Sequence, residues 1–141
     1  MAKAGPIILI EDDPDDKSVL EIVFEELNVH NKLIWFTNSK DSFDYLRTTS
    51  EQPFVILCDI NLPLQSGIDF KRELDADPQL RKKSIPFVFY STSVDQRTVN
   101  DAYIKITVQG YFQKKSSFKE IKDTIKVIVD YWQVCKHPNS I

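Results

Sequence analysis

Phe54-Val55-Ile56-Leu57-Cys58-Asp59 is the stretch on which the fold turns. Its five apolar residues do not alternate with polar ones, and the run ends on a carboxylate. A strand with one face in water alternates apolar and polar side chains. An unbroken run of this length fits a strand covered on both faces, as in a parallel sheet between layers of helices. The chain then enters Ile60-Asn61-Leu62-Pro63-Leu64-Gln65-Ser66-Gly67, where Pro63 and Gly67 punctuate an irregular loop.

Similar runs lie on either side. Ile7-Ile8-Leu9-Ile10 stops abruptly at Glu11-Asp12-Asp13; Leu33-Ile34-Trp35-Phe36, Phe87-Val88-Phe89-Tyr90 and the weaker Gly110-Tyr111-Phe112-Gln113 complete the set. Helical spacing fills the intervals. Val19, Leu20, Ile22, Val23, Phe24 and Leu27 mark a first helix, with Pro14 suited to its opening turn. Phe43, Tyr45 and Leu46 mark a second, and Ile68, Phe70 and Leu74 a third that begins after Gly67. Val94 to Ile106 form a fourth, opened by Ser93 as N-cap. Ile121, Ile125, Ile128, Val129 and Trp132 mark a fifth. Strand and helix alternate, so the expected fold is α/β: a five-stranded, doubly wound parallel sheet whose site lies at the carboxyl ends of the strands. Residues 5–135 are expected to form this one domain, without an output domain, and the tail from Lys136 to Ile141 to fray. Arg81-Lys82-Lys83 reads as a solvated loop.

Composition narrows the function classes. The 141 residues are 42% hydrophobic and 28% charged, enough for one core and too few for a second domain. Net charge is -3 with no long basic block, so direct DNA binding is not expected. Cys58 and Cys135 fit no metal spacing, and Cys58 reads as a small buried hydrophobe. The N-terminus lacks a signal-like apolar stretch and no run is long enough to span a bilayer; the expectation is a cytoplasmic protein with reduced thiols and no membrane association.

Polar side chains gather where the apolar runs stop: Glu11, Asp12 and Asp13 after the first, Asp59 and Asn61 after the third, Ser91 and Thr92 after the fourth, Lys114 after the fifth. In a parallel sheet these ends share one edge. Alone, the acidic run reads as negative charge at a helix N-terminus. Joined by Asp59, it reads as a cluster of carboxylates that repel one another unless a cation is present, and all-oxygen ligation suits Mg2+. Alone, Lys114 is a surface lysine and Ser91 a helix cap; beside Asp59 they become a point charge and a hydroxyl donor.

Four segments carry a family resemblance: Ile8-Leu9-Ile10-Glu11-Asp12-Asp13-Pro14, Asp59-Ile60-Asn61-Leu62-Pro63-Leu64-Gln65-Ser66-Gly67, Tyr90-Ser91-Thr92-Ser93 and Gly110-Tyr111-Phe112-Gln113-Lys114. In this order they resemble the motifs of response-regulator receiver domains of the chemotaxis-regulator type. Asp77-Pro78-Gln79-Leu80-Arg81, with Ser91-Thr92-Ser93, further resembles the single-domain receivers associated with phytochrome-type kinases. The resemblance implies a flavodoxin-like (βα)5 fold with strand order 2-1-3-4-5. It implies Asp59 as phosphoacceptor, Asp12, Asp59 and the backbone carbonyl of Asn61 as Mg2+ ligands, and Glu11 as a ligand through water. It gives Lys114 and Ser91 as the groups that meet the phosphoryl oxygens, and Ser91 and Tyr111 as the switch pair. Asn61 and Ser93 are candidates to set the hydrolysis rate. One departure stands out: the family places proline after its lysine, often across a cis bond, and this chain has Lys115.

The implied partners are a histidine kinase or histidine phosphotransfer protein, a downstream protein target, and a second copy of the chain, with Tyr103, Ile104, Tyr111, Tyr131 and Trp132 supplying an aromatic, apolar surface. Trp132, near the chain end, is expected to be exposed enough for self-association. Competing readings fare worse. A flavodoxin-like electron carrier needs a hydroxyl- and glycine-rich phosphate loop where Glu11-Asp12-Asp13-Pro14-Asp15-Asp16 stands, and a haloacid-dehalogenase-type phosphatase needs a second acid in place of Asn61. A receiver-like scaffold that no longer accepts phosphate is opposed by the joint presence of Asp12, Asp59, Ser91 and Lys114.

Overall fold

A computed structural model describes residues 2–93, 95–106 and 108–138. Five parallel strands, β1 (Ile7–Ile10), β2 (Leu33–Phe36), β3 (Val55–Cys58), β4 (Phe87–Ser91) and β5 (Tyr111–Gln113), form one sheet in the order β2-β1-β3-β4-β5. The helices are α1 (Pro14–Glu26), α2 (Ser39–Thr48), α3 (Gly67–Ala76), α4 (Pro78–Lys83), α5 (Gln96–Lys105) and α6 (Phe118–Val134), with a 3-10 turn at Ala2–Ala4.

The unbroken apolar runs are explained by two cores, one on each face of the sheet. Successive strand side chains point to opposite faces. In β3, Val55 and Leu57 therefore join Leu20, Val23 and Phe24 of α1 and Ile125, Ile128 and Val129 of α6. Ile56 and Cys58 join Leu46 of α2, Phe70 and Leu74 of α3, Leu80 of α4 and Ala102 of α5. Each Val, Leu or Ile buried this way contributes roughly 1.5–3 kcal/mol, which is why no polar residue interrupts the central strands.

Local chemistry sets the helix starts. Asp13 caps α1, accepting from the Asp15 N–H, and Pro14 occupies the first turn, where its missing N–H costs nothing. Asn38, Ser66 and Ser117 cap α2, α3 and α6 in the same way.

Four expectations need correction. Arg81-Lys82-Lys83 is the end of helix α4, because Asp77 caps that helix through the N–H groups of Gln79 and Leu80, Pro78 starts it and Leu80 anchors it in the core. Helix α5 is capped by Asp95, whose carboxylate takes the Thr98 N–H, and Ser93 lies outside it; Val94 lies outside the described residues. Trp132 is only 8% exposed, buried on the α6 face that carries Ile125, Ile128 and Val129. The tail docks through His137: its ring stacks on Phe54 and its Nε2 donates to the Phe54 carbonyl at 2.8 Å. Asn139, Ser140 and Ile141 lie outside the described residues.

Candidate functional site

The sheet register places the site. Ile10 pairs with Cys58, and the next residue on each strand remains tied to the ladder: Asp59 N–H donates to the Ile10 carbonyl at 3.0 Å and Glu11 N–H to the Phe36 carbonyl at 3.0 Å. Lys114 N–H donates to the Ser91 carbonyl at 2.9 Å, so the last backbone bond of the β4–β5 ladder sets the lysine beside the serine. Four crossovers thus deliver Glu11, Asp59, Ser91 and Lys114 to one edge.

Asp59 sits at the centre, 7% exposed. Its Oδ1 accepts from Ser91 Oγ at 2.7 Å and from the Asn61 N–H at 3.2 Å. Its Oδ2 accepts from Lys114 Nζ at 3.1 Å. The lysine ammonium also donates to Glu11 Oε2 and, at 2.9 Å, to Asp16 Oδ2. Carboxylate oxygens of Glu11, Asp12 and Asp59 lie within 4.8 Å of one another, with Asp12 exposed and the other two buried. Burial raises the Glu11 carboxyl to about 7, the nearby Asp59 charge adding to the effect and Lys114 opposing it. Burial pulls the Lys114 ammonium down, but its hydrogen bonds to Glu11 and Asp16 and the charge of Asp59 outweigh this and leave it above the usual lysine value. Burial, with the charges of Asp59 and Glu11, pushes the Cys58 thiol well up. More carboxylate than ammonium at one small site, with two of the acids buried, fits a hard divalent cation with oxygen ligands.

The loop after Asp59 closes tightly because of Gly67. A Cβ at this position would lie 2.3 Å from the Asp59 carbonyl oxygen, and the Gly67 N–H donates to the Ile60 carbonyl at 2.9 Å. Only glycine allows α3 to begin against the backbone that carries Asp59. A second polar chain borders the site: Asn61 Nδ2 donates to Ser93 Oγ at 2.5 Å, the Ser93 N–H donates to Ser91 Oγ at 3.2 Å, and the Tyr111 hydroxyl donates to the Ser93 carbonyl. The Tyr111 ring is half-buried against Phe89.

The profile of the response regulator receiver domain matches residues 7–126. The chain belongs to this family. The receiver's relatives include the probable methanogenesis regulatory protein FilR2 of Methanothrix harundinacea, 29% identical over 130 residues that span 89% of this chain and 82% of FilR2. Response regulator Rcp1 of Synechocystis is 26% identical over 89% of this chain and 87% of its own; its Mn(2+)-bound crystal structure superposes with a TM-score of 0.80 at 25% identity, covering 94% and 97% of the two chains. The phosphorylated cyanobacterial phytochrome response regulator RcpA gives a TM-score of 0.83 at 25% identity over 96% and 98%. The receiver therefore has the flavodoxin-like order 2-1-3-4-5 and resembles the phytochrome-associated single-domain branch.

Eight of the side chains named from the sequence meet at this edge: Glu11, Asp12 and Asp59 as the acidic cluster, Ser91 and Lys114 on Asp59, and Asn61 and Tyr111 joined through Ser93; Asp13 caps α1 instead. No cis peptide occurs among the described residues, so Lys114 and Lys115 are joined in trans. One residue was missed. Asp16 read only as part of an acidic run, yet it contacts Lys114 from the first turn of α1.

Proposed function

We propose that this receiver is a single-domain response regulator of a two-component phosphorelay that accepts a phosphoryl group on Asp59. The observation that carries the reading is the grip on one buried carboxylate, with Ser91 on Oδ1 and Lys114 on Oδ2, beside the Glu11–Asp12 pair. Asp59 attacks phosphorus in line as the bond to the phosphohistidine nitrogen breaks, and that nitrogen keeps the electron pair. The product is an acyl phosphate. Lys114 faces one developing phosphoryl oxygen with positive charge, and Ser91 donates a hydrogen bond to another; positioned charge of this kind is most of what phosphoryl transfer requires. Asp12, Asp59 and the Asn61 carbonyl would hold Mg2+ directly and Glu11 through water, and the bound cation supplies further neutralisation of the phosphoryl oxygens. Water then hydrolyses the acyl phosphate to carboxylate and phosphate. Asn61 and Ser93, bonded to each other across the mouth, are the side chains placed to govern its approach.

Phosphorylation draws Ser91 towards the phosphoryl group. Since Ser91 Oγ also accepts the Ser93 N–H and the Ser93 carbonyl holds the Tyr111 hydroxyl, that movement reaches Tyr111 through hydrogen bonds already present. Exposed Tyr103, Ile104 and Tyr131 supply a readout surface for a downstream protein or a second copy of the chain; buried Trp132 does not contribute. The donor is a histidine kinase or phosphotransfer protein, and the cytoplasm is the compartment that suits such a donor and two free cysteines. No helix among the described residues is long and apolar enough to cross a membrane.

Incubation with Mg2+ and acetyl phosphate, followed by intact mass, is the direct test. A single phosphoryl adduct that is absent from Asp59→Asn is expected. No adduct, together with no spectral or thermal response to beryllofluoride, leaves only a receiver-shaped binding module.

A further inference from the structure

Lys114 has three ammonium protons and meets three carboxylates, Glu11, Asp59 and Asp16, the last two at 3.1 and 2.9 Å. The three acids are not equivalent. Glu11 and Asp59 also belong to the cluster with Asp12 that fits a divalent cation, so they answer to two cations. Asp16 lies outside that cluster and answers to Lys114 alone among the described contacts. It comes from α1, whose start is pinned by Pro14 and the Asp13 cap, whereas Lys114 lies on the β5–α6 connection. Lysine has a flexible four-carbon stem and freely rotating donors, so a second anchor is what gives its charge a direction. The Lys114 side chain is 9% exposed and that of Asp16 39%, so the carboxylate approaches from the solvent side and closes the lysine into the site.

We propose that Asp16 is a positioning residue: it holds one N–H of Lys114 so that the other two point at Asp59 and Glu11, on the side where a phosphoryl oxygen would meet the ammonium. The bland role for Asp16 is negative charge in the first turn of α1, where it favours the helix N-terminus. Asp15 separates the two. It lies in the same turn, shares that effect and has no contact with Lys114. The proposal rests on the receiver reading for the reaction it serves, but the tether itself is testable without any phosphodonor.

Two readouts on Asp16→Ala and Asp15→Ala decide it. In the first, the metal-free proteins are labelled with limiting acetic anhydride, and acetylation of Lys114 is measured by peptide mass spectrometry against exposed Lys119. Asp16→Ala is expected to raise Lys114 labelling several-fold and Asp15→Ala to leave it unchanged; equal labelling in the two variants overturns the tether. In the second, adduct formation with Mg2+ and acetyl phosphate is followed in time. Asp16→Ala is expected to slow it about tenfold, less than the ~100-fold that a 1 Å misplacement can cost because Glu11 and Asp59 still hold the lysine, and Asp16→Asn, which keeps an acceptor oxygen, to recover part of the loss. Rates that match Asp15→Ala overturn the positioning role. A wild-type chain that takes no phosphoryl group sinks the receiver reading and any role of Asp16 in it, and the labelling result then decides the tether alone.

Discussion

Lys71 and Lys114 are two lysines of the same depth put to opposite ends. Their side chains are each 9% exposed, and each lies over an aromatic ring, Phe87 at 5.3 Å and Tyr90 at 5.9 Å. Lys71 has one carboxylate, Asp75, at 2.7 Å on the next turn of its own helix. The pair is closed: one positive charge, one negative charge, nothing left to bind. Lys114 has three carboxylates, from the residue after β1, from α1 and from the residue after β3, and a fourth, Asp12, adjoins them. Burial of a lysine therefore does not mark a site. What marks one is a charge that the surrounding residues fail to balance, assembled from elements far apart in sequence.

The largest expected effect breaks the likeness outright. Lys114→Ala should slow formation of the Asp59 adduct by about 100-fold or more, the usual scale for losing a charge aimed at a transition state, whereas Lys71→Met should phosphorylate at the wild-type rate. Timed intact-mass measurements with acetyl phosphate check both. Equal loss in the two variants would mean that Lys114 acts only through the fold.

Next in size is the response to the cation. A ligand that binds only the folded chain stabilises it by about 2.7 kcal/mol at a free concentration ~100 times its dissociation constant. Mg2+ should therefore raise the thermal midpoint of the wild type and of Lys71→Met by the same amount. Asp12→Asn should lose most of that rise, since it removes one of the clustered carboxylates. Calorimetric scans with Mg2+ and with a chelator give the comparison; an undiminished rise in Asp12→Asn would move the cation elsewhere.

The difference between the two lysines also shows what the sequence made legible. The three central strands were readable because burial on both faces leaves an unbroken apolar run, β2 and β5 at the edges being only half-covered, and Asp59, Ser91 and Lys114 were readable because each stands where a strand run stops. The parallel order then brings them together without further information. Contacts that depend on side-chain reach across the fold left no such trace. Asp16 and Lys114 are 98 residues apart, and His137 and Phe54 are 83 apart; neither pair has a periodicity or a spacing that announces it. Asp95 displaced Ser93 as a cap because both are good capping types two residues apart, and only the backbone path chooses between them. Trp132 is a different failure. It lies four residues after Ile128 and three after Val129, and this register with the core, not its distance from the chain end, decides its burial.

The smallest effect is the one that tests whether the Lys71 pair is as closed as it looks. Replacing a buried ion pair by apolar side chains of similar volume is often neutral, because the desolvation of two charges is recovered when they are gone. Lys71→Met keeps the stem over Phe87 and removes only the ammonium. Asp75 is not stranded by the change, since its side chain is 36% exposed and can return to water. The variant should therefore unfold within about 1 kcal/mol of the wild type in urea, with an unchanged slope. A much larger loss would mean that the Lys71 ammonium satisfies something besides Asp75, and the contrast with Lys114 would then be one of degree.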